Sequence, residues 1–581
     1  MPLLFISATC PENQMKSHLL PKFASCLALS LSASLPCPAQ QTPAQLKRLQ
    51  QYIESIQKIP AAQRDHLSVA AMNLLHYAQA AQRSHPESAA NPSATPLATH
   101  QSMAEIAATR AATASTAPVV LSQAVVPVNN PKWDFTLSLL GGFTQSESST
   151  AWCGNNVVVG YNDSGSRVRT ALLDPQAASS YDGVAVSSNA GRTFQPLDYL
   201  NPGTDPAGFL AGSPVVACST ASNFFYASLF VTNGIDGNPT SEVAVSTSTN
   251  GGLAWSGPRS AISKSAYGHS LDKEWMALDP LHPNYIYVTY TDNDYSFAGL
   301  ACPYDSRSAI ELVASSNGGS TWSSPLVINE QCGVSGNYVQ GSQVAVDRTG
   351  KVFVVYELFA ADGSRTIELS PSSNHADSFA APTQVVAVTP TGDGTVLEGT
   401  FHTNEYPSFA IDPVSSALYI AWADGRDRIV PDLESPTETY AYSDILLSRS
   451  ADGGRTWSAP AAVSPTPATY AGTGRDQFMP ALAVDSAANV AVCYYDRRND
   501  PGNMMVDRYC SVSGNAGRSW TEYRKTTAPW EPMHDADFET ASDYLGDYDT
   551  TASDHTGLNP GFIGAFQIQT KGNPDVYAAH F

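Results

Sequence analysis

The sequence predicts an all-β protein built as a ring of four-stranded blades, a β-propeller, and three observations carry that expectation. Turn formers and aromatics abound while charge is sparse: 40 Gly, 40 Pro, 26 Tyr and 9 Trp in 581 residues, with 14% charged. Such a mix suits many short strands joined by tight turns. From about Lys132 onward a unit of paired strands recurs, as in PSFAID followed by ALYIAW, then DILLSRS. A motif of the form S-x-[DN]-x-G-x-[TSA]-[WF] recurs with it, at spacings of 57 to 78 residues. A four-stranded unit cannot bury both of its faces alone, so repeated units of this length stack into a closed ring.

In chain order, the first 39 residues read as an export signal. MKSHLLPKF is a short basic stretch, and Phe23 to Leu35 is an apolar run too short to span a bilayer, which places the translation start at Met15 and cleavage near Ala39. Residues 40–84 carry helical spacing: Leu46, Leu49, Ile53 and Ile56 form one stripe, and Leu67, Ala71, Leu74 and Leu75 another, with Pro60 between. A helical hairpin is expected there. Residues 85–130, rich in Ala, Ser, Thr and Pro, read as a linker. The propeller is assigned to 131–581. Seven units are counted, with six as the alternative if the first or last is an elaboration. The seventh lacks a fourth strand, and WDFTLSLL (Trp133 to Leu140) is the expected N-terminal donor that closes the ring.

Charge is uneven. Residues 1–130 hold 8 Lys+Arg against 5 Asp+Glu, whereas the remainder holds 23 against 48. An acidic body of this kind repels nucleic acid and anionic membranes, which excludes both as partners. No segment after the signal is apolar enough to span a bilayer, so a periplasmic, cell-surface or extracellular monomer is expected. Cysteine usage fits export. Cys10, Cys26 and Cys37 lie in or before the signal, leaving six in the body. Position in the repeat pairs Cys153 with Cys218, Cys302 with Cys332, and Cys493 with Cys510 as candidate disulfides. None has C-x-x-C spacing, and no metal or cofactor is expected; the oxygen-rich TDND at Thr291 and DRRND at Asp496 are weak Ca²⁺ patterns without EF-hand form.

The motif has five good copies, centred on Asn189, Asn250, Asn317, Asp452 and Asn515, and a worn sixth, SSNHADSF, from Ser372. It resembles the Asp-box, or bacterial neuraminidase repeat, of sialidase-like propellers. Asn replaces Asp in most copies, which keeps a hydrogen-bond acceptor but forfeits acid chemistry. The motifs therefore read as scaffold: Asp452 accepts amides in its own turn, Gly454 takes a backbone angle other residues avoid, and Trp457 fills space between blades.

Chemistry is expected at the opposite mouth, where inner strands start and second strands end. The strand starts offer Glu147, Lys273, Glu274, Glu405, Arg475, Asp476 and Asp547. The strand ends offer Asp163, Asp292, Asp294, Glu357, Asp424, Arg426, Asp427, Asp496, Arg497 and Arg498, accompanied by Tyr161, Tyr406, Tyr495, Tyr544 and Tyr548. Carboxyl groups, guanidinium groups and a tyrosine around one funnel make a glycosidase set. The resemblance implies a glycan substrate, three arginines on a sialic acid carboxylate, a Tyr–Glu nucleophile and an Asp acid/base. The family's F-R-I-P-like arginine motif has no counterpart, since the first unit begins GFTQSESSTAW. Asp163, Glu274, Glu405 and Asp424 are the acid/base candidates, with Tyr406 beside Glu405 as candidate nucleophile, and Arg426, Arg475, Arg497 and Arg498 as substrate clamps. The expected activity is that of an exported sialidase-like glycoside hydrolase; the alternative is a non-catalytic propeller that binds carbohydrate or protein at the cell surface.

Overall fold

The computed structural model describes residues 120–121, 125–132, 143–173, 178–234, 237–296, 302, 305–392, 396–431, 439–464, 474–532, 537, 545–570 and 573–581. The export signal, the helical hairpin, most of the linker, the expected closing strand Trp133 to Leu140, and Tyr544 lie outside them.

The described chain forms seven blades of four antiparallel strands, and two of them gain a short fifth strand in parallel: Ser179–Ser180 beside Phe209–Leu210, and Val120–Leu121 beside Tyr523–Arg524. The inner strands of blades 1 to 6 are Gln145–Cys153, Phe209–Cys218, His269–Leu278, Tyr338–Val346, Ser408–Ile411 and Gln477–Val484. Second strands such as Leu418–Asp424 (LYIAWAD) and Val490–Asp496 (VAVCYYD) are buried at every residue. A blade is covered on both faces by its neighbours, so these strands read as continuous apolar runs rather than alternating ones. Blade 7 comprises Thr551–Ser553, Phe562–Thr570 and Asn573–His580, and its outer strand comes from the N-terminal side, as Val126–Pro127. The ring is thus closed by a strand inside the span that reads as linker. A helix, Ser164–Leu173, interrupts blade 1 and has no counterpart in the repeat pattern.

Apolar clusters fill each interface between adjacent blades. One joins Val158, Val184, Val216 and Tyr226 of blades 1 and 2, and another joins Ala227, Val243, Met276 and Val288 of blades 2 and 3. All three expected disulfides form. Cys153–Cys218 ties the inner strands of blades 1 and 2, Cys302–Cys332 lies within blade 3, and Cys493–Cys510 bridges register partners in blade 6.

The six repeated turns share one hydrogen-bond pattern. In the turn at Ser450, the serine hydroxyl donates to Asp452 and accepts the Gly454 amide, and Asp452 accepts the Thr456 amide. The same three bonds recur in all six copies at 2.8–3.2 Å. The hydroxyl and amide of Thr456 hold the Asp452 carboxylate down to about 2, so it stays an ionised acceptor. The motif's closing aromatic packs onto the interface with the preceding blade, as Trp255, Trp322, Trp457 and Trp520 each do. Its glycine is left-handed (φ 77–91°) in five copies, and in the worn copy Ala376 holds that position at φ 65°.

A methyl group is disfavoured at such an angle by about 1–2 kcal/mol, against a smaller entropic cost for glycine. Ala376→Gly should therefore stabilise the fold by about 0.5–1 kcal/mol. Gly454→Ala, whose Cβ would stand 2.2 Å from Leu369 Cδ2, should destabilise it by about 1–3 kcal/mol. Urea denaturation midpoints of the two variants check both signs.

Candidate functional site

Each inner strand of blades 1, 2, 3, 4 and 6 carries a β-bulge near its start, where the register slips by one or more residues. Four of the bulges place a side-chain-bearing residue in the left-handed region: Glu147 (φ 52°), Ser213 (58°), Lys273 (54°) and Met479 (55°). A bulge re-aims the chain, and here the result is an axial cavity lined by residues of blades 3 to 7. Lys273, Glu274, Trp275, Tyr406, Asp547 and Tyr548 are among its walls. In blade 4 the bulge residue is Gly341, and the Tyr406 ring occupies the space its side chain would take, with a Cβ there only 2.3 Å from Tyr406 Cδ1.

The polar groups of the cavity fall into a paired set and an unpaired one. Lys273 reaches across to the Asp547 carboxylate, with its Nζ 5.0 Å from the centroid of the Tyr406 ring. Burial pulls the ammonium pKa down and pushes the carboxyl pKa well up, so the two converge. Glu147 is wholly buried; it accepts the Asp547 amide at 3.0 Å, Asn162 Nδ2 at 2.9 Å and the Ser213 hydroxyl at 3.2 Å. Burial raises its pKa too, against the pull of Lys273. Glu274 is different. It is 1% exposed, and no other described residue hydrogen-bonds either of its carboxyl oxygens. Burial, reinforced by Asp272, Asp182 and Glu147, pushes its pKa well above 4.5. The result is a carboxyl group facing the cavity that holds its proton to higher pH than an ordinary glutamate does. Trp275 and Tyr548 stand edge to face beside it, 5.5 Å between centroids, and the Tyr548 hydroxyl is anchored on Pro214 O at 2.7 Å.

Of the candidates read from sequence, Glu274 and Tyr406 meet in the cavity, together with the strand-start residues Lys273, Asp547 and Tyr548. The others are engaged elsewhere. Asp163 caps the blade 1 helix through the Gly165 amide and pairs with Arg169 at 2.5 Å. Glu405 accepts Thr391 N and Oγ1 and pairs with Arg365 of blade 4, so its carboxylate is committed apart from Tyr406. Asp424 is held by its own neighbour Arg426 and by the Trp422 indole. Arg475 donates to Gly474 O at 2.6 Å, and Arg497 to Glu398 O and Asn503 O. Arg498 is locked between Asp496 and Glu522. The Asp292 of TDND is enclosed by Lys264, Arg307 and His269.

One feature escaped the sequence. Arg508 is fully buried, its guanidinium makes no hydrogen bond among the described residues, and it lies 4.5 Å from the Tyr495 ring and 3.7 Å from Asp549 Oδ2, directly behind the cavity wall. Its only sequence signal is a charge at the start of a third strand, DRYC, a place where other blades also carry charge, as at Asp182, Arg307, Arg365 and Asp444. Glu357, read as a strand-end residue, is buried near Arg365 with neither oxygen hydrogen-bonded.

Fold and site together define a seven-bladed β-propeller with an acid-lined axial cavity. Protein-family models give no match to the chain, and neither do curated proteins. Solved structures do. The chain is similar to a Hadza microbial sialidase at 12% identity over 74% of each chain, with TM-score 0.39. It is similar to an ulvan lyase at 11% identity, covering 80% of this chain and 96% of that one, with TM-score 0.44. A Penicillium chrysogenum α-L-arabinanase complexed with arabinobiose matches at 12% identity over 64% of this chain and 94% of that one, with TM-score 0.42. At these identities the likeness is one of fold.

The raised pKa of Glu274 has a consequence for stability. A folded state that binds a proton more tightly than the unfolded chain loses stability as pH rises from 4.5 toward the raised value. Glu274→Gln removes that loss, so the variant should gain on the wild type steadily as pH rises above about 4.5. Denaturation midpoints across that range measure it, and parallel curves would show that the carboxyl does not titrate as a buried group.

Proposed function

We propose that the axial cavity is the active site of an exported carbohydrate-active enzyme, a glycoside hydrolase that removes a terminal sugar from a glycan. The observation that carries this reading is Glu274, a buried carboxyl that no other described residue hydrogen-bonds. An enzyme that must protonate a glycosidic oxygen at neutral pH needs a carboxylic acid of this kind. Glu274 gives its proton to the leaving oxygen as the C–O bond breaks. The second carboxyl group, Asp547, is kept a carboxylate by its ion pair with Lys273 while Glu147 accepts its backbone amide, and it takes a proton from the water that attacks the sugar carbon. Trp275, Tyr406 and Tyr548 supply aromatic surface for the apolar face of a sugar ring. Three disulfides fit an oxidising compartment, and no helix of the described residues is long and apolar enough to cross a membrane.

The arginines favour an uncharged sugar over sialic acid. A carboxylate clamp needs guanidinium groups free to turn toward the ligand, and Arg426, Arg475, Arg497 and Arg498 are each bound to carbonyls or carboxylates of the protein. A second reading, a propeller that binds a glycan without cleaving it, draws on the Lys273–Asp547 contact, which occupies the second carboxyl group.

Purified protein beginning near Gln40 should hydrolyse a neutral member of an aryl glycoside panel and spare the sialoside. Glu274→Gln should lower kcat/KM by about 10²–10⁴-fold, and wild-type activity should fall as pH rises through the displaced Glu274 pKa rather than near 4.5. Undiminished activity in the variant would move the chemistry off Glu274. Glycan binding without turnover of any sugar would establish the second reading.

A further inference from the structure

On the face that carries the repeated turns, away from the cavity, three metal-ligating side chains converge between blades 3 and 4. Asp279 and His282 follow the inner strand of blade 3, and His375 belongs to the worn turn of blade 4. Nδ1 of His282 lies 3.2 Å from Asp279 Oδ2, and Nδ1 of His375 lies 3.7 Å from the same oxygen. The three ligand atoms all fall within 4.8 Å of one another. The two imidazole rings cross at 82° with centroids 5.6 Å apart, and Tyr285 flanks both.

The turn that starts at Asp279 accounts for His282, three residues on, but not for His375. Asp279 is buried, and its Oδ1 already does the work of the turn by accepting the amides of Leu281 and His282 at 2.7 and 3.2 Å. Its Oδ2 is left to the imidazoles, and among the described residues no lysine or arginine forms an ion pair with Asp279. His375 is the more telling residue. It occupies the first left-handed position of its turn at φ 56°, where the other five copies hold Ala190, Gly251, Gly318, Gly453 and Ala516. A long side chain adds nothing to that turn and takes on backbone strain there. Gly350 keeps the space above the cluster open: a Cβ at that position would lie 3.4 Å from His375 Cε1 and 3.6 Å from Asp279 Oδ2.

The geometry points to a divalent transition-metal site of Zn²⁺ type, with Nδ1 of His282, Nδ1 of His375 and Oδ2 of Asp279 as ligands and a water in the fourth position. Two imidazoles and one carboxylate suit a borderline cation and not Ca²⁺ or Mg²⁺, which call for oxygen cages. Tetrahedral ligands on bonds of about 2.0–2.1 Å stand about 3.3 Å apart, so a small rotation of His375 completes the set. The ion cross-links two neighbouring blades on the side opposite the cavity, and its role is to staple the ring.

Equilibrium dialysis of the full chain against Zn²⁺, with metal analysis, tests the site, and Co²⁺ substitution reports its coordination by visible absorption. His375→Gly is the decisive variant because glycine already serves at this position in other copies of the turn, so the fold survives the change. Loss of an outer-sphere partner alone weakens metal sites about 10–100-fold; loss of a ligand should cost more than about tenfold and abolish the Co²⁺ spectrum. Zn²⁺ should raise the Tm of the wild type and leave that of His375→Gly unmoved. Equal Zn²⁺ affinity in the two proteins, or no stoichiometric uptake by the wild type, would overturn the assignment.

Discussion

The short strand Val126–Pro127 pairs with Tyr577 and Ala578 and supplies the outer edge of blade 7, so the two ends of the described chain hold each other in place. Val128 continues the contact through its amide to Val576 O at 2.9 Å. Asn129 then reads both sides of the seam: its side-chain amide donates to Asp575 of blade 7 and Gln145 of blade 1, and its carbonyl accepts the Val576 amide. An open stack of blades would leave two apolar faces in water; closure leaves none. The entropic cost of joining segments so distant in sequence grows only with the logarithm of the intervening length. The burial gained at the last interface is not limited in that way.

Closure also creates the site. Lys273 comes from blade 3, Tyr406 from the start of blade 5, Asp547 from the start of blade 7 and Glu147 from blade 1, and they meet only because the ring brings all the inner strands to one axis. The same closure removes water from them, which is why burial is the largest influence on the pKa of Glu147, Lys273, Glu274 and Asp547 alike. Three of these groups find partners among themselves. Glu274 does not, and an unpartnered buried carboxyl is a cost that folding alone gives no reason to bear.

Most of the fold was legible in the sequence because repetition multiplies weak signals. One apolar strand of seven residues is ambiguous, but strands that return in company with the same turn are not. The disulfides followed, since their cysteines sit at definable points of that repeat. The closing strand was harder to place. Val126–Pro127 is a single pair in a stretch of small residues, whereas Trp133 to Leu140 has the stronger strand pattern. The site was legible only in outline. Sequence placed carboxylates and arginines at strand ends, but which of them turn to the axis depends on bulges, and a one-residue bulge reverses the side to which a residue points. Hence Glu405 and Asp424 resembled Glu274 on paper, yet their nearest partners, Arg365 and Arg426, hold them between or beside blades.

The distribution of backbone strain separates the two faces of the ring. On the turn face the tight, positive-φ step is taken by Gly191, Gly252, Gly319, Gly454 and Gly517, and the left-handed residues with a side chain in these turns are, His375 apart, only Ala190, Ala376 and Ala516. At the cavity mouth the same region is occupied by Glu147, Ser213, Lys273 and Met479, all of which bear the cost of a Cβ. Glycine would serve a purely structural bulge at least as well, as Gly341 does in blade 4. Side chains at the other bulges make sense only for what they present to the axis. His375, the one large side chain at such a position in the repeated turns, bears the same strain, and its imidazole faces Asp279 and His282.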